Sequence, residues 1–206
     1  MGAPASDAFL EAVKTRRSNY TLSSETTIPD SKVVEIVQAA IKHAPSTYNV
    51  QSARAVVLFG ESHHKFWDIA TRHISALPMD ENAKKYLTSR LSGFRGAHGT
   101  VLLFEDQAAL DTLGTKNAMV QPMLTEFSDH SSGMHQFIVW TALTAEGLGC
   151  NLQHYNFLPA VTAETLSAFG LPETWKLKAQ LVFGKPTAPP LERSYLPIEE
   201  RVLVKE

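Results

Sequence analysis

The segment Gly133 to Glu146 constrains this chain more than any other, because its apolar residues run around the whole circumference of a helix. Met134, Phe137, Ile138, Val139, Trp140, Ala142, Leu143 and Ala145 leave no polar face for water. Such a helix is buried, either at the centre of a domain or at a subunit interface. The rest of the chain has to supply layers that cover it. Ala55 to Phe59 reads as a strand closed by Gly60. Thr100 to Phe104 is a continuous apolar run, which marks a strand buried on both faces. Leu177, Ala179, Leu181 and Phe183 alternate with polar residues and predict a third strand ending at Gly184. Cys150 to Tyr155 adds a short fourth.

Helices fill the intervals. Ser6 is placed to cap a helix over Asp7 to Thr15 that carries Phe9 and Val13 on one face. Pro29-Asp30-Ser31 opens the best amphipathic helix, with Val33, Val34, Val37, Ala40 and Ile41 at helical spacing and Pro45 as its stop. Further helices are predicted over Ser62 to Leu77, Glu81 to Leu91 and Thr162 to Phe169, the last capped by Gly170. The stretch from Gln107 to Asp129 reads as broken helix and loop. After Gly184, four prolines (Pro186, Pro189, Pro190, Pro197) lead to Val202-Leu203-Val204, a candidate edge strand. Strands mixed with long helices, without repeated βαβ units, indicate an α+β fold. No solenoid period and no linker divides the chain, so residues 1–206 are read as one domain, with 186–206 as a tail.

The overall charge is close to balanced, with 19 basic and 21 acidic residues. That gives no electrostatic basis for nucleic-acid or membrane partners, and the basic residues form no run. One cysteine, Cys150, excludes an internal disulfide framework and a cysteine-clustered zinc site. Met1 to Asp7 lacks the charged-then-apolar pattern of a signal peptide. The expected compartment is the cytoplasm, with the nucleus as a second. No Gly-x-Gly-x-x-Gly follows a strand, and there is no P-loop, no Gly-x-Ser-x-Gly and no His-Glu-x-x-His. His63, His64 and His73 lack ligand spacing, and Asp129-His130-Ser131 is ordinary capping chemistry rather than a triad.

Four elements carry chemistry. Arg16-Arg17-Ser18-x-Tyr20 offers two guanidiniums and a hydroxyl that could grip a phosphate or a planar ring. The alternative is two arginines completing a helix C-terminus. Pro45-Ser46-Thr47-Tyr48-Asn49-Val50-Gln51-Ser52 supplies small and amide side chains suited to a heteroaromatic edge, or else forms a polar turn. In Gly147 to His154 the glycines could let backbone approach a planar ligand, or simply cap a helix. Lys185 and Arg193 follow the last strand and are individually unremarkable.

Taken in order, these motifs resemble the nitroreductase family, and within it the small fungal and bacterial group that includes the yeast fatty-acid-repression proteins. The resemblance rests on Arg16-Arg17-Ser18, Ala44-Pro45-Ser46-x-x-Asn49-x-Gln51, and Phe94-Arg95-Gly96-Ala97-x-Gly99-Thr100-Val101. Leu103-Phe104-Glu105-Asp106, Glu146-Gly147-Leu148-Gly149, Leu152-Gln153-His154-Tyr155-Asn156 and Leu196-Pro197-x-x-Glu200-Arg201-Val202 extend it. It implies a central mixed, mostly antiparallel sheet flanked by helices, in an intertwined homodimer with FMN between subunits. By the same resemblance Arg16, Arg17, Ser18 and Tyr20 contact the flavin, and Gly149, Asn151, Leu152 and Gln153 run near its ring. Pro45, Ser46, Thr47, Asn49 and Gln51 reach it from the other subunit, and Lys185 and Arg193 hold its phosphate. The tail 186–206 is then expected to reach the partner.

The activity implied is ping-pong hydride transfer from NADH or NADPH through FMN to nitroaromatics, quinones or similar electrophiles. Arg16 and Arg17 would stabilise the reduced flavin, and no side chain stands out as an obligatory acid. The alternative is a flavin-binding regulatory or stress-sensing protein with little turnover. The sequence departs from the family where Ser52-Ala53-Arg54 follows Gln51 in place of the usual Trp. Larger members also carry a helical lid between their first strands, whose limits the sequence does not mark.

Overall fold

A computed structural model describes residues 6–206. In chain order the elements are α1 (Asp7–Thr15), β1 (Leu22–Ser23), α2 (Asp30–His43), β2 (Ala53–Phe59), α3 (Gly60–Ser75), α4 (Glu81–Arg95), β3 (Gly99–Asp106), α5 (Gln107–Lys116), α6 (Leu124–Ala145), β4 (Gly149–Gln153), α7 (Pro159–Phe169) and β5 (Trp175–Pro186). The sheet runs β1-β5-β3-β2, with β4 also paired to β5. Every pairing between these strands is antiparallel, and the parallel contact is an isolated bridge from Ser18 to Cys150. The fold is α+β, as expected.

The side-chain period of a strand explains the two cores. On one face Leu102 and Phe104 of β3 pack with Phe66 and Trp67 of α3, Phe94 of α4 and Val161 of α7. On the other face Val101 and Leu103 pack with Val33 and Val37 of α2 and Val139 and Leu143 of α6. β3 is therefore buried on both sides. His63 belongs to the first core, where its Nδ1 lies 2.9 Å from the Thr100 hydroxyl and its Nε2 donates to the Arg95 carbonyl at 3.1 Å. Burial pushes its pKa down to about 4, so the ring is neutral and Nδ1 accepts from Thr100.

Several local expectations give way to tertiary context. Ser6 has helical backbone angles and makes no side-chain cap. Gly60 does not close β2 so much as open α3, at φ +51°. α6 begins at Leu124, nine residues earlier than its apolar stretch suggests. In its polar first turns the Ser131 hydroxyl is satisfied within the helix, donating to the Phe127 carbonyl one turn back. β1 was not anticipated; a two-residue strand carries no period. Val202-Leu203-Val204 is coil, because a strand needs a paired edge and no edge of this chain reaches it.

One side of the molecule stays apolar and uncovered. α1 buries none of its residues, and Phe9 is 61% exposed. Met134 and Ile138 on the outer face of α6 are each 37% exposed. In the tail, Leu196, Ile198, Leu203 and Val204 are all exposed.

Candidate functional site

The expected site residues gather in two places. Arg16, Arg17, Ser18 and Tyr20 line a pocket of about 320 Å³ together with Leu191, Glu192 and Arg193 of the tail. The segment leaves α1 and is pinned to β4: the Asn19 N–H donates to the Cys150 carbonyl at 2.8 Å. The Asn151 amide returns the bond, donating to the Asn19 carbonyl at 2.9 Å, and Gln153 donates to Asn151 Oδ1 at 2.9 Å. The tail is held in the same way. Arg17 donates to the Leu191 carbonyl, and Asn19 Nδ2 donates to the Ala188 carbonyl at 2.8 Å.

Three guanidiniums thus converge. Arg16 lies 4.4 Å over the Trp140 ring, and its buried Nε has no hydrogen-bond partner. Desolvation first, then the charges of Arg193 and Arg17, pull its pKa below the usual arginine value. Like charges placed together with an orphaned donor form a site short of an anion. A phosphate supplies that anion, so the donor set fits the phosphate of a nucleotide-like cofactor. Glu192 is the one acid in this pocket wall.

The second place is the loop between α2 and β2. Ala44, Ser46, Asn49 and Gln51 line a cavity of about 540 Å³ with Arg54, His135 and Trp175. Tyr48, Asn49 and Gln51 all have positive φ, near +50°. Left-handed backbone in non-glycine residues stores strain, on the order of 1 kcal/mol or more each, and clusters where function over-determines geometry. Ser46 restrains the turn by accepting the Gln51 N–H at 3.0 Å. Arg54 holds it from below, donating to the Gln51 carbonyl at 2.8 Å while pairing with Asp106 at 2.9 Å. Ser52, next in sequence, donates to the buried Glu105 carboxylate. Burial raises the Glu105 pKa above the usual carboxylate range, against the lowering effect of that bond. Pro45 and Thr47 sit in the same loop without lining the cavity. His135 donates from Nδ1 to the Ser131 carbonyl at 2.6 Å.

The two cavities share no lining residue, so this chain alone does not bring its two sets together. Lys185 is not brought to the arginine pocket either. Its ammonium pairs with Glu25 at 2.6 Å, because β1 lies beside β5 and sets Ser23 opposite Lys185. Gly149 has a packing reason for being glycine: an added Cβ would fall 2.6 Å from Leu22 and 3.2 Å from Pro186. Leu152 faces the core around α2 and α6. Cys150 is fully buried and its thiol is pushed up by burial, which leaves it unreactive. Sequence reasoning missed Asn19, Trp140 and Glu105. Trp140 carried a signal in the apolar helix, but what stacks on it lies far away in sequence.

The Nitroreductase family model matches residues 13–185. The Saccharomyces cerevisiae protein HBN1 is 36% identical over 193 residues, covering 91% of this chain and 93% of its own. Among solved structures, the nitroreductase CinD from Lactococcus lactis, in complex with chloramphenicol, is 33% identical. It has a TM-score of 0.85 and covers 96% of this chain and 100% of its own. CinD has also been solved with 4-nitrophenol. A Desulfovibrio desulfuricans structure in complex with FMN shares the fold at 22% identity and TM-score 0.66, covering 96% of each chain. The architecture, the arginine pocket and the strained amide loop therefore meet a family match across most of the sequence: this chain belongs to the nitroreductase family.

Proposed function

We propose that this protein is an FMN-dependent NAD(P)H oxidoreductase that reduces nitroaromatics, quinones or similar electrophiles, and that it works as a homodimer. The observation that carries the reading is the convergence of Arg16, Arg17 and Arg193 around a buried, unpartnered Arg16 Nε. FMN, when bound, supplies hydride acceptance from NADH or NADPH and hydride donation to the acceptor, chemistry that side chains do not offer.

The protein's part is binding, orientation and electrostatics. Arg17 and Arg193 hold the phosphate end, and Ser18 adds a hydroxyl donor beside them. Arg16, stacked on Trp140, would place a fixed positive charge beside a bound flavin and so favour its reduced, anionic form. Asn151 and Gln153 present amide edges along β4. Ser46, Asn49 and Gln51 supply the opposite wall from a second subunit. That assignment agrees with two half-sites that do not meet within one chain. Protons come from solvent.

The uncovered apolar surface supports the dimer. Met134 and Ile138 on α6 and Phe9 and Leu10 on α1 are exposed apolar side chains, and β2 is an open sheet edge. The tail beyond Arg193, rich in exposed apolar side chains, is assigned to the partner's surface.

The test is the visible absorption spectrum of the purified protein, followed by NAD(P)H without oxygen. We expect a flavin spectrum that bleaches and then recovers when a nitroaromatic or quinone is added. A flavin that does not bleach would favour the sensing role. No flavin after incubation with FMN would overturn the reading.

A further inference from the structure

Arg90 is a cation that none of this chemistry uses. It sits on α4 one turn beyond Leu87, on the same helix face. Leu87 lines a cavity of about 230 Å³ with Leu77, Gln153, Tyr155 and Phe157. Arg90 Cζ lies 4.0 Å from the Tyr20 ring centroid and 5.4 Å from that of Phe94. Tyr20 belongs to the wall of the arginine pocket. Arg90 thus touches the wall of the arginine pocket through Tyr20 and follows Leu87 of the apolar cavity by one turn of α4. Its positive charge also reaches Tyr155 in the cavity wall, where it opposes the rise that burial gives the phenol.

The two cavities are joined along β4. Gln153 lines the apolar one, and its amide is bonded through Asn151 to the Asn19 carbonyl beside the arginines. Arg54, Arg72 and Arg95 each meet a carboxylate within 3 Å. Among the described residues Arg90 meets none. Stacking uses the face of a guanidinium and leaves its in-plane N–H donors free for an anion.

We propose that the cavity beneath α4 takes the ring of an aromatic electron acceptor, and that Arg90 selects acceptors carrying a carboxylate. The proposal rests on the oxidoreductase reading above. The cavity walls supply apolar and aromatic contact, and the guanidinium stacked on Tyr20, one turn beyond Leu87 of the wall, supplies the charged anchor.

The experiment compares 4-nitrobenzoate with 4-nitrobenzyl alcohol, two acceptors with the same ring and different charge. In each turnover NADH gives a hydride and solvent a proton, and the nitro group becomes nitroso with release of water. In Arg90→Gln the ratio of kcat/KM, anion over alcohol, should fall about tenfold, the size expected for one charge-assisted hydrogen bond. The fall should appear in KM, and Arg90→Lys should recover most of it.

A second readout needs no flavin. Trp67 lies 5.6 Å from Tyr155, so quenching of its emission reports binding of either nitroaromatic. The Kd of the anion should rise about tenfold in Arg90→Gln. An unchanged ratio, or equal losses for both acceptors, would overturn the proposal and leave Arg90 as packing for Tyr20. A protein without FMN would instead sink the oxidoreductase reading, and the quenching titration would still decide the role of Arg90.

Discussion

The two halves of the site are built in opposite ways. The arginine half is assembled from distance: Arg17 is tied to Leu191, Asn19 to Ala188 and Cys150, and Asn151 back to Asn19. None of its backbone is strained. The loop half is made within a few residues and holds three left-handed non-glycine conformations against Ser46, Arg54 and the Ser52–Glu105 bond. Long-range hydrogen bonds let a pocket shift with the elements around it. A strained local turn keeps its shape wherever its strand goes. If each half serves a different subunit's flavin, the rigid half is the one that must present a finished surface across an interface.

The largest effect that would break this comparison comes from mixing subunits. Arg17→Ala should lose FMN on purification, while Arg95→Ala, whose guanidinium serves only a surface pair with Asp68, should keep it. Asn49→Ala should lose FMN from the other half. Co-expressed, Arg17→Ala and Asn49→Ala should recover flavin in the heterodimer, because one of its two sites then carries neither change. Equal FMN retention in Arg17→Ala and Arg95→Ala would sink the arginine assignment. No recovery on mixing would place both halves of each site in one subunit.

An intermediate effect should appear in the pH dependence of stability. Glu105 has a raised pKa, so the folded chain holds this proton more tightly than the unfolded chain does. Its contribution is complete below the ordinary glutamate value and is lost as pH rises through the raised one. Glu105→Gln removes that loss. Its Tm relative to the parent should climb as pH rises above the ordinary glutamate range, and a flat difference would mean that the fold does not raise the Glu105 pKa.

The smallest effect tests the strain itself. Tyr48 is 63% exposed with φ at +52°, so Tyr48→Gly relieves the backbone while removing little packing. Stability should rise by roughly 0.5–1 kcal/mol, as glycine accepts that conformation freely. FMN affinity should fall by less than tenfold, because the loop is then less pre-organised. A drop in thermal stability would show that the turn is not strained.

Much of the frame was legible in the chain. The two-sided burial of β3 followed from a continuous apolar run, and α2 and α7 followed from helical spacing with Pro45 and Gly170 as stops. The arginine and amide motifs marked both halves of the site, because each is contiguous in sequence. What escaped was set by partners far away. Lys185 looked free and is held by Glu25. Gly149 looked like room for a ligand and is room for Leu22 and Pro186. The helices predicted over 62–77 and 81–91 are α3 and α4, and the end of the second, at Arg95, lies four residues beyond its apolar spacing. Arg90 was unreadable in sequence because its meaning depends on stacking over Tyr20, seventy residues earlier.

By itself the sequence determined which residues are apolar, where helices stop and which side chains can meet an anion. Period, capping and donor chemistry are local properties, and they survive without knowledge of the fold. Only the tertiary structure decided which charges remain unpaired, which glycines are packed and which apolar faces stay open. Those outcomes depend on contacts across the chain, and an unpaired guanidinium or an uncovered helix face is defined by what the rest of the molecule leaves undone.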